Sequence, residues 1–194
     1  CCMPKLLTST FMIILCLGGT LMSEPVLSKE TLNSSYIPRA VLFTPAEIIG
    51  IKISPDSKYL AYLKANPSGV MNLFITTLDG NNKKLKQITN FTDPEIYRFF
   101  WTGDSKQILF LKDTNGAKSF QLYAVNIESS QIKEITKDFK AISAKIYTVS
   151  GPKVVVGIND RNPRYHDIYI YDSSNGNLTK IFENDKYSRF TFDN

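Results

Sequence analysis

Ile53-Ser54-Pro55-Asp56-Ser57-Lys58-Tyr59-Leu60-Ala61-Tyr62-Leu63 returns forty-eight residues later as Trp101-Thr102-Gly103-Asp104-Ser105-Lys106-Gln107-Ile108-Leu109-Phe110-Leu111. Asp-Ser-Lys is common to both, and Leu60/Ile108, Tyr62/Phe110 and Leu63/Leu111 keep register. Each copy reads as a strand, a tight polar turn and a second strand. The downstream halves repeat too. Asn72-Leu73-Phe74-Ile75-Thr76-Thr77-Leu78-Asp79 is answered by Gln121-Leu122-Tyr123-Ala124-Val125-Asn126-Ile127-Glu128, and a diverged third unit has Asp167-Ile168-Tyr169-Ile170-Tyr171-Asp172. Ile88, Ile135 and Ile181 mark the period, 47 and then 46 residues. That spacing is expected of four-stranded propeller blades.

The reading outward from the repeat is an all-β chain, a partial β-propeller of about three four-stranded blades plus the first strand of a fourth. The blades are expected at about 50–89, 96–136 and 141–182, with the next beginning at 187–194. Strands are expected near 50–54, 58–63, 72–78 and 84–89; near 96–102, 107–112, 120–127 and 131–136; and near 141–149, 153–159, 167–171 and 177–182. In the third unit Ser150-Gly151-Pro152 stands where the others have their Asp-Ser turn. Tyr59–Leu63 and Val154–Val156 are near-continuous apolar runs, as expected of strands covered on both faces when blades stack. Three blades and one strand do not close a ring, so the reading takes the chain as a fragment.

Composition supports a folded protein. Of the 194 residues 43% are hydrophobic and 21% charged, which is globular and not disordered. The net charge of +5 comes from lysines spread along the chain, with one cluster at Lys83, Lys84 and Lys86 that reads as a solvated hairpin turn. A nucleic-acid surface would gather its cations on one face beside stacking aromatics, so no nucleic-acid partner is expected.

Residues 1–23 read as an export signal: Lys5, an apolar core from Leu6 to Leu17, then small residues near Ser23. The apolar stretch is too short and interrupted for a membrane span, so none is expected after signal removal. The mature chain is expected in the periplasm or secreted. All three cysteines (Cys1, Cys2, Cys16) fall inside this segment, so no disulfide, thiol nucleophile or cysteine zinc site would remain. Residues 24–49, with Pro25, Pro38 and Pro45, read as a linker and lead-in arm.

Catalytic signatures are missing. There is no Gly-x-Ser-x-Gly elbow, phosphate loop or dinucleotide fingerprint. One histidine rules out a His-Glu-x-x-His zinc site, and Asp113-Thr114-Asn115-Gly116 lacks the alternating acids of a calcium loop. No catalytic residue, metal or cofactor is expected. The densest polar stretch is Asn159-Asp160-Arg161-Asn162-Pro163-Arg164-Tyr165-His166-Asp167, between two strands of the third unit. Two readings stay open. Asp160 and Asp167 bond turn backbone or pair with the arginines; or Arg161, Arg164 or His166 faces a cavity and meets a peptide carboxylate or a neighbouring domain.

Three stretches together carry a family likeness: Ile37-Pro38-Arg39 with Leu42-Phe43, Ile53 to Tyr62, and the Asn159–Asp167 run. They resemble the amino-terminal part of a bacterial serine peptidase of the prolyl oligopeptidase family, of the dipeptidyl aminopeptidase and acylaminoacyl-peptidase group. The resemblance implies a propeller that filters peptide substrate on its way to a carboxy-terminal hydrolase domain, which these residues do not include. No catalytic residue carries over. The alternative is a TolB-like periplasmic propeller that binds protein partners.

Overall fold

The computed structural model describes residues 47–79, 84–93, 96–113, 119–139 and 143–193. They fall within the second of two compact units, residues 45–194. The export segment, the lead-in up to residue 46, Lys83 and Thr114-Asn115-Gly116 lie outside the described residues.

Everything assigned is strand or turn. Blade 1 holds β1 (Ile48–Ile53), β2 (Tyr59–Ala65), β3 (Met71–Thr77) and β4 (Leu85–Gln87). Blade 2 holds β5 (Ile96–Trp101), β6 (Gln107–Asp113), β7 (Phe120–Asn126) and β8 (Ile132–Glu134). Blade 3 holds β9 (Ala144–Ser150), β10 (Lys153–Asn162), β11 (Tyr165–Asp172) and β12 (Asn177–Phe182). Each blade is a four-stranded antiparallel meander with its strands in chain order. The twelve strands coincide with the repeat's expectation to within a few residues.

The Asp-Ser-Lys turn earns its repetition through side-chain hydrogen bonds. Ser54 Oγ donates to Asp56 Oδ1 (2.6 Å), which also accepts the Lys58 amide (3.1 Å), while Ser54 Oγ accepts the Tyr59 amide (3.0 Å). Thr102, Asp104, Lys106 and Gln107 reproduce the same set. Ser57 and Ser105 take the left-handed conformation at φ 59° and 58°, where short polar side chains are tolerated. In blade 3 Gly151 fills that role at φ 54°.

Stacking of blades builds two cores. Ile108 and Phe110 of β6 pack toward blade 1 with Ala61, Leu63, Leu73, Phe99 and Trp101. Leu109 and Leu111 of the same strand pack toward blade 3 with Leu122, Val154, Val156, Ile158 and Tyr171. All four residues are buried, so β6 is covered on both faces. Tyr59–Leu63 differs from the expectation: Ala61 and Leu63 are buried but Leu60 and Tyr62 only half so, because blade 2 covers one face alone. Val155 is half-buried between buried Val154 and Val156 for the same reason.

The blades are wedged. At the first-strand ends the turns meet directly: Gly103 N donates to the Gly151 backbone carbonyl (2.7 Å), and Asp56 N to the Ser105 side-chain hydroxyl (3.0 Å). On the fourth strands the gap is bridged by lysine. Lys86 Nζ donates to the carbonyls of Ile127 (2.9 Å) and Glu128 (2.6 Å), and Lys133 Nζ to that of Gly176 (3.0 Å). Lys86 is therefore not part of a merely solvated turn; a long stem with a charged donor spans what backbone cannot. Tyr171 ties the second seam, its hydroxyl donating to Gln107 Oε1 (3.1 Å). Burial, then the Asp104 and Asp172 carboxylates, push its phenol up to about 12, so it remains a donor.

Two details of blade 3 depart from the repeat. The β11–β12 ladder slips between Ile168 and Tyr169, which turns Ile181 outward to 53% exposure where Ile88 and Ile135 are buried. Residues 187–193, expected to begin a fourth unit, have no strand pairing among the described residues. A strand is held by its ladder; here the segment is held by rings instead, Phe190 meeting Tyr147 at 6.1 Å and Phe182 at 5.9 Å, and Phe192 meeting Tyr147 at 5.4 Å.

Candidate functional site

The polar run 159–167 forms the end of the longest hairpin. β10 and β11 have ten and eight residues, against seven for β2, β3, β6 and β7. Asn162 faces Tyr165 across a turn of Pro163 and Arg164. Asn162 Oδ1 accepts the Arg164 amide (2.9 Å), and Asn159 Nδ2 donates to Pro163 O (3.2 Å). Pro163 has its φ preset by its ring, and Arg164 is held through its amide by Asn162.

The three candidate residues do not converge. Arg161 forks onto Asp167, Nε to Oδ2 at 3.2 Å and Nη2 to Oδ1 at 3.0 Å, and reaches Asp185 Oδ1 at 2.7 Å and Asn184 O at 3.1 Å. His166 turns to Ser143 O, with Nε2 2.9 Å away, so the neutral ring donates from Nε2. Burial pushes its pKa down and Lys145 adds to this, against the Ser143 bond; the imidazole is neutral at pH 7. The Arg164 guanidinium has no hydrogen-bond or ion-pair partner among the described residues, and Arg164 is exposed. The structural reading of the run therefore holds for Asp167 and Arg161, while Arg164 is presented outward.

Asp167 is 3% exposed. Burial alone would raise its carboxyl pKa. The Arg161 fork, the Asn184 amide (2.8 Å) and the charges of Arg161 and Lys180 outweigh that and hold it below the usual carboxylate range. Asn184, fully buried, closes the set: its Nδ2 donates to Tyr187 O and its Oδ1 accepts the amides of Lys186 and Tyr187. The sequence reading passed over Asn184 and Asp185. The available signal was positional, since this blade's fourth strand leads into Asn and acids where blades 1 and 2 have Thr89 and Thr136.

Elsewhere a cleft of about 440 Å³ lies between blades 1 and 2, lined by Ser68, Gly69, Val70, Asp93, Tyr97, Asp113 and Phe120; none of the three candidates reaches it. Among the described residues no cluster of three or more His, Cys, Asp or Glu side chains could hold a metal. No helix there is long and apolar enough to cross a membrane.

Three stacked antiparallel meanders with a repeated first turn define a partial β-propeller. Solved structures agree: a prolyl endopeptidase (TM-score 0.54, 17% identity, 72% of this chain and 22% of that one) and the propeller domain of the Trilobed protease from Pyrococcus furiosus (0.50, 23%, 71% and 44%) share the fold. No protein-family model matches. By sequence the chain is 35% identical over 167 residues to dipeptidyl aminopeptidase BIII of Pseudoxanthomonas mexicana, covering 84% of this chain and 24% of that protein. Dipeptidyl peptidase family member 6 of Caenorhabditis elegans is 29% identical over 166 residues, 81% of this chain and 22% of that one. The chain thus spans about a quarter of the length of these curated relatives. The chain is similar in sequence to part of these dipeptidyl aminopeptidases, which bears out the likeness read from its sequence, and its fold is shared with the propellers of solved peptidases.

Proposed function

We propose that the chain is the non-catalytic propeller portion of an exported serine peptidase of this group, scaffolding and gating peptide access to a hydrolase domain that lies outside these 194 residues. One observation carries the reading. A chain whose described residues build a three-blade stack aligns over 84% of its own length, but only 24% of the relative's, with a dipeptidyl aminopeptidase. Blades joined by turn contacts at one edge and lysine bridges at the other form a continuous wall, the kind of element that selects by access and not by chemistry.

The test is direct. The chain should neither cleave dipeptidyl chromogenic substrates nor take up a fluorophosphonate serine probe, whereas a longer reading frame containing it should do both. Specific labelling of one serine within the 194 residues would overturn the reading.

Export is part of the proposal and rests on the Lys5, apolar core and small-residue order. Mass spectrometry of the protein from its native cell is expected to find an amino terminus between about Thr20 and Ser28. Protein beginning at Met3 would remove the export assignment and leave the propeller assignment standing.

A further inference from the structure

Blades 1 and 2 close their fourth strands with a neutral latch. In blade 1 Thr89 Oγ1 donates to Asn72 Oδ1 (3.0 Å) and accepts the Leu73 amide (2.8 Å). In blade 2 Thr136 Oγ1 donates to Gln121 Oε1 (2.6 Å) and accepts the Leu122 amide (3.0 Å). All four latch side chains are buried. The matching position in blade 3, by the repeat, is Asp167. There the latch is ionic, with Arg161, Asn184 and Lys180 around a buried carboxylate.

Stability does not explain the exchange. Burying an ion pair gains little over a neutral pair of similar shape, and registry is its better-attested use. What the ionic version adds is reach. A neutral amide–hydroxyl pair joins two strands, whereas the Arg161 fork joins β10 to β11 and to the exit segment at Asn184 and Asp185. It does so at the base of a hairpin longer than the described hairpins of blades 1 and 2, whose tip is held by Asn159 and Asn162. At that tip stands Arg164, exposed and without a partner among the described residues. Arg161's own charge is matched by Asp167 and Asp185, so it holds the hairpin without competing for a ligand.

We infer that the Asp167–Arg161–Asn184 set is a positioning device that stiffens the β10–β11 hairpin and presents Arg164 to the terminal carboxylate of a bound peptide. A guanidinium fork suits a carboxylate, and a hairpin ordered in advance saves the entropy of ordering it on binding. Arg161, Asp167 and Asn184 are positioning residues; Arg164 is the one that touches ligand. The inference rests on the reading that this propeller meets peptides.

The experiment immobilises the full chain at low density, so that self-association does not contribute, and passes over it penta-alanine with a free carboxylate and its carboxy-terminal amide. The unaltered chain is expected to favour the free acid about tenfold, the worth of one charge-assisted pair. Arg164→Gln should bring the ratio to about one. The double variant Asp167→Asn with Arg161→Gln restores a neutral latch like those of blades 1 and 2; it should melt cooperatively yet lose most of the preference. Should it fail to melt cooperatively, Arg161→Lys takes its place, keeping the charge and losing the fork, with the same expected loss. A full preference in the folded double variant, or in Arg161→Lys, would make the set a structural latch only. No acid preference in the unaltered chain, or one unchanged by Arg164→Gln, overturns the inference and leaves the serine-probe test of the proposed function untouched.

Discussion

Gly103→Ala lowers the melting temperature by about 8–16 °C, the largest effect expected of a single methyl added at any of the described glycines. The added carbon would press on the Gly151 carbonyl oxygen and lie 2.7 Å from the Gly151 Cα and amide nitrogen. These are backbone atoms of the neighbouring blade, so no side chain can swing aside. The blades must part at their tightest seam, which breaks the Gly103–Gly151 hydrogen bond and loosens the core beneath it. Overpacking plus the lost bond comes to about 4 kcal/mol. Gly69 is the control. Its φ of +81° makes alanine strained, but nothing lies within 4 Å, so Gly69→Ala should cost only about 1 kcal/mol, or about 2–4 °C. Thermal denaturation of both variants decides it; equal shifts would mean the seam is not close-packed.

Asp167→Ala is expected to cost about 3 kcal/mol at neutral pH. The loss strands the Arg161 fork and the Asn184 amide together. The lower end of the range for a broken buried pair applies because the Arg161 side chain is 38% exposed and water recovers part of its charge. The pH dependence has a definite sign. Asp167 is held below the usual carboxylate range when folded, so its contribution is present above the unfolded value of about 3.9 and is lost as pH falls through the lower folded value. The gap in melting temperature between the unaltered chain and Asp167→Ala should therefore be widest near pH 6 and narrow toward pH 3. A gap that stays constant with pH would show that Asp167 acts by shape and not by charge.

The repeat was legible because propeller blades are nearly one-dimensional: each meander is made by local turns, and the residues that make those turns recur. Asp56 and Asp104 hold their turns with hydrogen bonds spanning two residues, which is why Asp-Ser-Lys survives in sequence and why the strands could be placed on either side of it. The candidate run 159–167 was visible as polar density between two strands. Its internal sorting was not. Arg161 and Arg164 look alike in sequence, yet one is matched by Asp167, six positions downstream, and by Asp185, twenty-four downstream, while the other is exposed to solvent.

Alternation of side chains, the turn chemistry of Ser54–Lys58 and Thr102–Gln107, and their period determined by themselves that this is an all-β chain of stacked four-stranded units. Those are contacts between near neighbours in the chain, and short-range hydrogen bonding writes them into composition and spacing. The seams between blades, and the Asp167 set within blade 3, were decided only in three dimensions. Lys86 bridging to Ile127 and Glu128, Gly103 lying against Gly151, and Asn184 completing the Asp167 set join residues from 17 to 48 positions apart. Their partners are mostly backbone carbonyls and amides. Every residue carries those groups, so no residue type marks them in advance, and packing alone selects which of them meet.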